Sequence, residues 1–146
     1  MRAIIQRVKR GSVRVGEEVL GEISGGLVIL LGVGPEDSEV TARKLANKIV
    51  NLRIFPDQDS KMNLSLLDVG GQALVVPQFT LFADTSRGNR PSFIKAGPPD
   101  IAQSLSAYFA RYLRELGVET GEGEFGAHMV VEIINDGPVT IWLEMA

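Results

Sequence analysis

Apolar residues recur along the chain with two periods, and the changes of period mark out the elements. Runs rich in Val, Ile and Leu predict strands over Arg2 to Val8, Ser12 to Val15, Val19 to Ile23, Leu27 to Val33, Ala73 to Val76, Met129 to Asn135, and Val139 to Met145. Helical spacing takes over twice. From Asp37 or Ser38 to about Asn51 it places Val40, Leu45 and Ile49 inward and Arg43, Lys44 and Lys48 outward. After Pro98-Pro99-Asp100, residues Ile101, Leu105, Tyr108, Phe109, Tyr112, Leu113 and Leu116 keep helical spacing up to Gly117, a natural stop, and the aromatic stripe reads as core. Strands punctuated by Gly16, Gly25-Gly26 and Gly70-Gly71, with a helix inserted twice, predict an α+β fold. Its mixed or antiparallel sheet would curl toward a β-barrel carrying two main helices.

Length and composition narrow the function classes. A chain of 146 residues fits a single domain, 1–146, that buries roughly 70% of its unfolded surface. No repeat, low-complexity tract or linker divides it. The absence of cysteine excludes disulfides and thiol catalysis and suits a reducing compartment. The opening Met1-Arg2-Ala3-Ile4-Ile5-Gln6-Arg7 lacks the apolar core of a signal peptide, and the run Leu27 to Val33 is far short of a membrane span. A soluble cytoplasmic protein with no membrane partner is expected. Net charge is -3, which argues against a generic nucleic-acid coat. The charge is nevertheless polarised: Arg2, Arg7, Lys9, Arg10 and Arg14 open the chain without an acid, and every charged side chain after Arg114 is acidic. That polarity permits a local phosphate-binding face, although a solvated basic strand edge is the plainer account.

Several chemistries lack their residues. No GxGxxG or GxxxxGK[ST] loop and no GxSxG elbow is present. His128 is the single histidine, and without cysteine or HExxH nothing points to a metal site or a cofactor. Beside a strand, His128 reads as structural more readily than catalytic. Asp57 and Asp59 fall in a Pro-Asp-Gln-Asp segment that turn-making explains.

Neutral polar groups and backbone remain. Gln78 and Thr80 share strand parity if the strand continues past Pro77. The loop from Thr85 to Phe93 presents Arg87 and Arg90, with Lys95 just beyond and Phe93 available for stacking on a base, which suits an RNA contact. Between the last two apolar runs, Asn135-Asp136-Gly137-Pro138-Val139-Thr140 offers either rigid backbone carbonyls to a substrate or a simple hairpin turn.

Taken together, these segments resemble the D-aminoacyl-tRNA deacylase (D-tyrosyl-tRNA(Tyr) deacylase) family over nearly the whole chain. The family signatures Ser-Gln-Phe-Thr-Leu and Asn-x-Gly-Pro-Val-Thr are met, in order and separation, by Gln78-Phe79-Thr80-Leu81 and Asn135 to Thr140, with Pro77 in place of the usual serine. The resemblance implies an ester hydrolase that releases D-amino acid from the 3′ end of aminoacyl-tRNA without a cofactor. It also implies a homodimer in which a cis Gly137-Pro138 bond reaches into the partner's pocket and rejects L-aminoacyl groups. Arg7 would hold that dipeptide in place. Gln78, Phe79 and Thr80 would surround the ester, with Thr80 orienting rather than attacking, because no base is paired with it. Glycyl-tRNA, having no side chain to clash, should also be hydrolysed. A non-catalytic tRNA-end-binding module and a structural dimer are the alternatives, with a small-substrate esterase behind them.

Overall fold

The computed structural model describes residues 1–146. Its backbone is organised around β1 (Arg2–Val15), which runs without interruption through Lys9-Arg10-Gly11, where the sequence suggested a break. One edge of β1 pairs antiparallel with β2 (Glu18–Ile23) through Gly11 to Val15 and with β3 (Gly26–Gly32) through Arg2 to Val8. Chain flow then passes through α1 (Glu39–Asn51), a small hairpin of β4 (Phe55–Pro56) and β5 (Met62–Leu64), and the single turn α2 (Leu66–Val69). It returns as β6 (Gln72–Pro77), parallel to β3. Helix α3 (Pro99–Glu115) leads to β7 (Thr120–Glu122), parallel to β6, and finally to β8 (Val130–Glu144), antiparallel to β1 along most of its length.

The six-stranded mixed sheet has the order β2-β1-β3-β6-β7 with β8 on the other edge of β1. It curls until β2 meets β7: a Cβ on Gly21 would lie 3.3 Å from the Glu122 amide nitrogen. Both faces of the central strands are covered, so their sequences read as unbroken apolar runs. Ala3, Ile5, Leu27, Ile29, Leu31, Ala73 and Val75 face the helices in the main core. Val8, Val13, Val28, Leu74 and Val76 form a smaller core on the opposite face, inside the curl.

The two long helices form where the pattern puts them. Ser38 caps α1, its hydroxyl accepting from the Thr41 amide while Thr41 reciprocates to the Ser38 amide. The buried stripe is Thr41, Ala42, Leu45, Ala46, Ile49 and Val50. Val40 is exposed, contrary to expectation, because it lies just ahead of that stripe. In α3, Pro99 occupies the first turn, where its missing N–H leaves no hydrogen bond unmade, and Leu105, Phe109 and Leu113 enter the core. Tyr108 and Tyr112 are only half-buried; their hydroxyls accept hydrogen bonds from Arg43 and Asn47 of α1. No helix is long and apolar enough to cross a membrane.

Candidate active site

Where β6 ends, the chain does not continue as a strand. It tightens into a 3-10 turn over Phe79–Phe82, so Gln78 and Thr80 do not share strand parity. They meet nonetheless, because the Gln78 side-chain amide donates to the Thr80 hydroxyl. Long-range contacts set this turn. Arg2 Nη1 donates to the Leu81 carbonyl at 2.9 Å, and its guanidinium stacks 4.4 Å from the centre of the buried Phe82 ring. Beneath it, Gly32 lets the backbone come close: a Cβ there would sit 3.0 Å from the Gln78 carbonyl and 3.1 Å from the Phe82 ring.

The Phe79 and Thr80 amides precede the turn's first internal hydrogen bond, donated by Leu81 N–H to the Gln78 carbonyl at 3.2 Å. Pro77 breaks no ladder. Gln78 N–H faces β3 and donates to Leu31 at 2.7 Å, so Pro77 nitrogen faces the other side, where pairing with the β7 strand ends at the Gly123 to Val75 bond.

A pocket of about 750 Å³ opens beside this turn. Gln78 and Phe79 form one wall and Phe93 to Ala102 another, and the segment Phe125-Gly126-Ala127-His128-Met129 closes it. Phe79 and Phe93 meet edge to face with centroids 5.0 Å apart. Thr80 is exposed and lies outside the pocket lining. The third wall was not foreseen. His128, expected to be structural, is exposed on the pocket, and Phe125 and Met129 carried no distinguishing signal in the sequence.

Arg87 and Arg90 stand exposed on the neighbouring loop, free of ion pairs. Asp84 pins that loop shut. Its backbone exchanges two hydrogen bonds with Ser92, at 2.8 and 2.9 Å. Its carboxylate accepts from the Ser86 hydroxyl at 2.6 Å and from the Ser86 amide at 3.0 Å, and lies 3.2 Å from Lys95 Nζ. These donors, Ser86 foremost and Lys95 after it, lower the Asp84 pKa to about 2. Lys95 is thus engaged within the protein rather than free.

Arg7, Gly137 and Pro138 gather elsewhere, in the middle of the β1–β8 ladder. Gly137-Pro138 is not a hairpin turn: both halves of β8 pair with β1, and the register jumps from Val8↔Asn135 to Gln6↔Thr140, so Asp136 to Val139 bulge outward. The Gly137-Pro138 peptide bond is cis and both residues are exposed. Arg7 Nε donates to the Asp136 carbonyl at 3.0 Å and Nη1 to the Ile54 carbonyl at 2.6 Å. Asn135 Nδ2 bridges the Arg7 and Val139 carbonyls at 2.8 and 3.0 Å. Neither Gly137 nor Pro138 lines the pocket of its own chain.

Residues 4–144 match the sequence profile of the D-Tyr-tRNA(Tyr) deacylase family. The chain belongs to that family. Among curated deacylase relatives, the D-aminoacyl-tRNA deacylase of Roseiflexus sp. (strain RS-1) is 60% identical over 146 residues, spanning 100% of this chain and 94% of that protein. The Deinococcus radiodurans D-aminoacyl-tRNA deacylase is 55% identical, spanning 99% of this chain and 100% of its own. A solved structure of the c-Myc DNA Unwinding Element Binding Protein superposes with a TM-score of 0.92 at 40% identity, covering 99% and 98% of the two chains. A probable eukaryotic D-amino acid tRNA deacylase superposes with a TM-score of 0.85 over 97% of each chain; at 16% identity it speaks to the fold alone. The single-domain α+β deacylase architecture expected from the sequence is the one observed.

Proposed function

We propose that this chain hydrolyses the ester of D-aminoacyl-tRNA, releasing free D-amino acid and tRNA, and works as a chiral proofreader. Full-length identity of 60% to a D-aminoacyl-tRNA deacylase carries the reading. The pocket supports it: three phenylalanines and Met129 form walls suited to a terminal base, beside backbone amides suited to an ester.

An aminoacyl ester is already activated, so catalysis is a matter of placing it. Water attacks the ester carbonyl while the Phe79 and Thr80 amides stabilise the oxyanion, each such donor worth roughly 3 kcal/mol. Collapse breaks the bond to the ribose oxygen, which leaves with a proton on the tRNA. The attacking water supplies the hydroxyl of the acid. Thr80, bonded to Gln78 and to no base, orients the substrate.

Chirality is assigned to Gly137-Pro138 of a second copy. The dipeptide is exposed, held outward by Arg7 and Asn135, and absent from its own chain's pocket, a geometry suited to entering a partner's. Its carbonyls would bind the α-ammonium, leaving an L side chain directed at unyielding backbone. The exposed Val130, Ile134 and Trp142 on β8 supply apolar surface for such a dimer. Arg87 and Arg90 would meet tRNA phosphates in the cytoplasm, where the substrate is made.

Hydrolysis of matched D-tyrosyl-, L-tyrosyl- and glycyl-tRNA tests this. Release from the D and glycyl substrates is expected. Equal D and L rates would overturn chiral selection, and binding without release would leave a tRNA-end-binding module.

A further inference from the structure

We propose that His128 is a specificity residue that hydrogen-bonds the 3′-terminal nucleoside of the aminoacyl-tRNA. The proposal rests on the deacylase reading of the pocket. Among the lining side chains only Gln78 and His128 are polar, and only His128 is ionisable. The Gln78 amide is engaged with Thr80. The imidazole makes no hydrogen bond or ion pair within the chain, so it is the one uncommitted polar side chain in an otherwise apolar cavity.

The segment carrying it is held in place. Gly126 at φ 80° allows a tight turn, the Ala127 amide donates to the Glu124 carbonyl at 3.2 Å, and the Glu124 amide lies 3.4 Å from Met129 Sδ. The turn therefore presents the imidazole between Phe125 and Met129, beside the surfaces that suit a base. A neutral imidazole offers one donor and one acceptor, matching the polar edge of a nucleobase or a ribose hydroxyl. His128 shares its lining with the three phenylalanines and Thr80 does not, so the contact proposed is with the nucleoside, and its role is substrate selection rather than moving the ester's proton.

Steady-state kinetics on D-tyrosyl-tRNA provide the test, with His128→Ala and His128→Asn compared. His128→Ala should raise KM about tenfold with kcat unchanged, the effect of one lost hydrogen bond to a ligand. His128→Asn, which keeps a donor and an acceptor, should recover most of that loss. An unchanged KM in His128→Ala, a fall confined to kcat, or no recovery with Asn would each overturn the proposal. Should the wild-type chain release no amino acid, the deacylase reading fails by itself. The same variants then report through equilibrium binding of D-tyrosyl-tRNA, where a tenfold weaker His128→Ala supports the contact and equal affinity refutes it.

Discussion

Thr80 is the residue on which the two possible chemistries differ most in magnitude. A threonine that attacks the ester cannot be lost without losing several powers of ten in rate, as happens when a hydrolase nucleophile is removed. A threonine that only steers substrate contributes about one hydrogen bond, up to roughly tenfold. Its hydroxyl accepts from Gln78, and the one histidine of the chain lies in a different wall. Thr80→Ala is therefore expected to keep kcat within about tenfold of wild type; single-turnover hydrolysis of D-tyrosyl-tRNA decides, and a thousandfold drop with binding intact would establish Thr80 as the nucleophile. At this scale, local sequence marks some residues of the site and hides others. Gln78, Phe79 and Arg7 stand out as candidates because they sit in short, distinctive segments. His128 was not, because its neighbours in the pocket come from three stretches of chain that only the fold brings together.

Among the elements, the loop between Asp84 and Ser92 shows how a basic surface is kept in shape. The Asp84 carboxylate is held well below the ordinary value of about 3.9, at about 2, by Ser86 and then Lys95. A lowered folded-state pKa stabilises the loop fully above the unfolded value, and that contribution disappears as pH falls through the folded one. The loop is thus expected to stay closed down to about pH 4 and to loosen as pH approaches 2. At neutral pH, Asp84→Ala should mimic the acid state, speeding amide exchange across residues 85–92 and weakening tRNA binding a few-fold. Unchanged exchange would show that the backbone pair to Ser92 suffices.

The elements differ in how far local sequence determines them, for physical reasons. Helices α1 and α3 carry their own start signals in Ser38 and Pro99, so local sequence determines them. The 3-10 turn after Pro77 depends on Arg2 and Gly32, which lie far away in sequence. Continuous β1 and β8 were likewise hidden, since Lys9-Arg10-Gly11 and Gly137-Pro138 resemble breaks until each strand bridges the irregularity of the other.

For the whole molecule, the separation of Gly137-Pro138 from its own pocket has a stoichiometric test. Gly137 has φ 139°, and a Cβ there would lie 2.9 Å from the Val139 side chain and 3.1 Å from Arg7 Nη2, so Gly137→Ala should displace the dipeptide. Ala96→Trp should fill the pocket instead. Each variant alone is expected to be inactive. In the dimer we propose, co-expression in equal amounts should recover about a quarter of wild-type activity, since half of such dimers would be mixed and each mixed one would hold one intact composite site. No recovery would overturn the composite site.

The ladder joining β1 to β8 also governs when this protein comes into being. Gln6 bonds Thr140 across 134 positions of sequence, and Asn135 bonds Arg7 across 128. Contacts of that span form slowly, because the intervening chain must be ordered before they are gained. At about 5–20 residues per second, β1 leaves the ribosome on the order of ten seconds before β8 exists. During that interval one edge of β1 has no partner, which makes it a template for aggregation. The open edge of β1 is closed only when β8 pairs with it, so the last strand to be made is the one that removes the hazard.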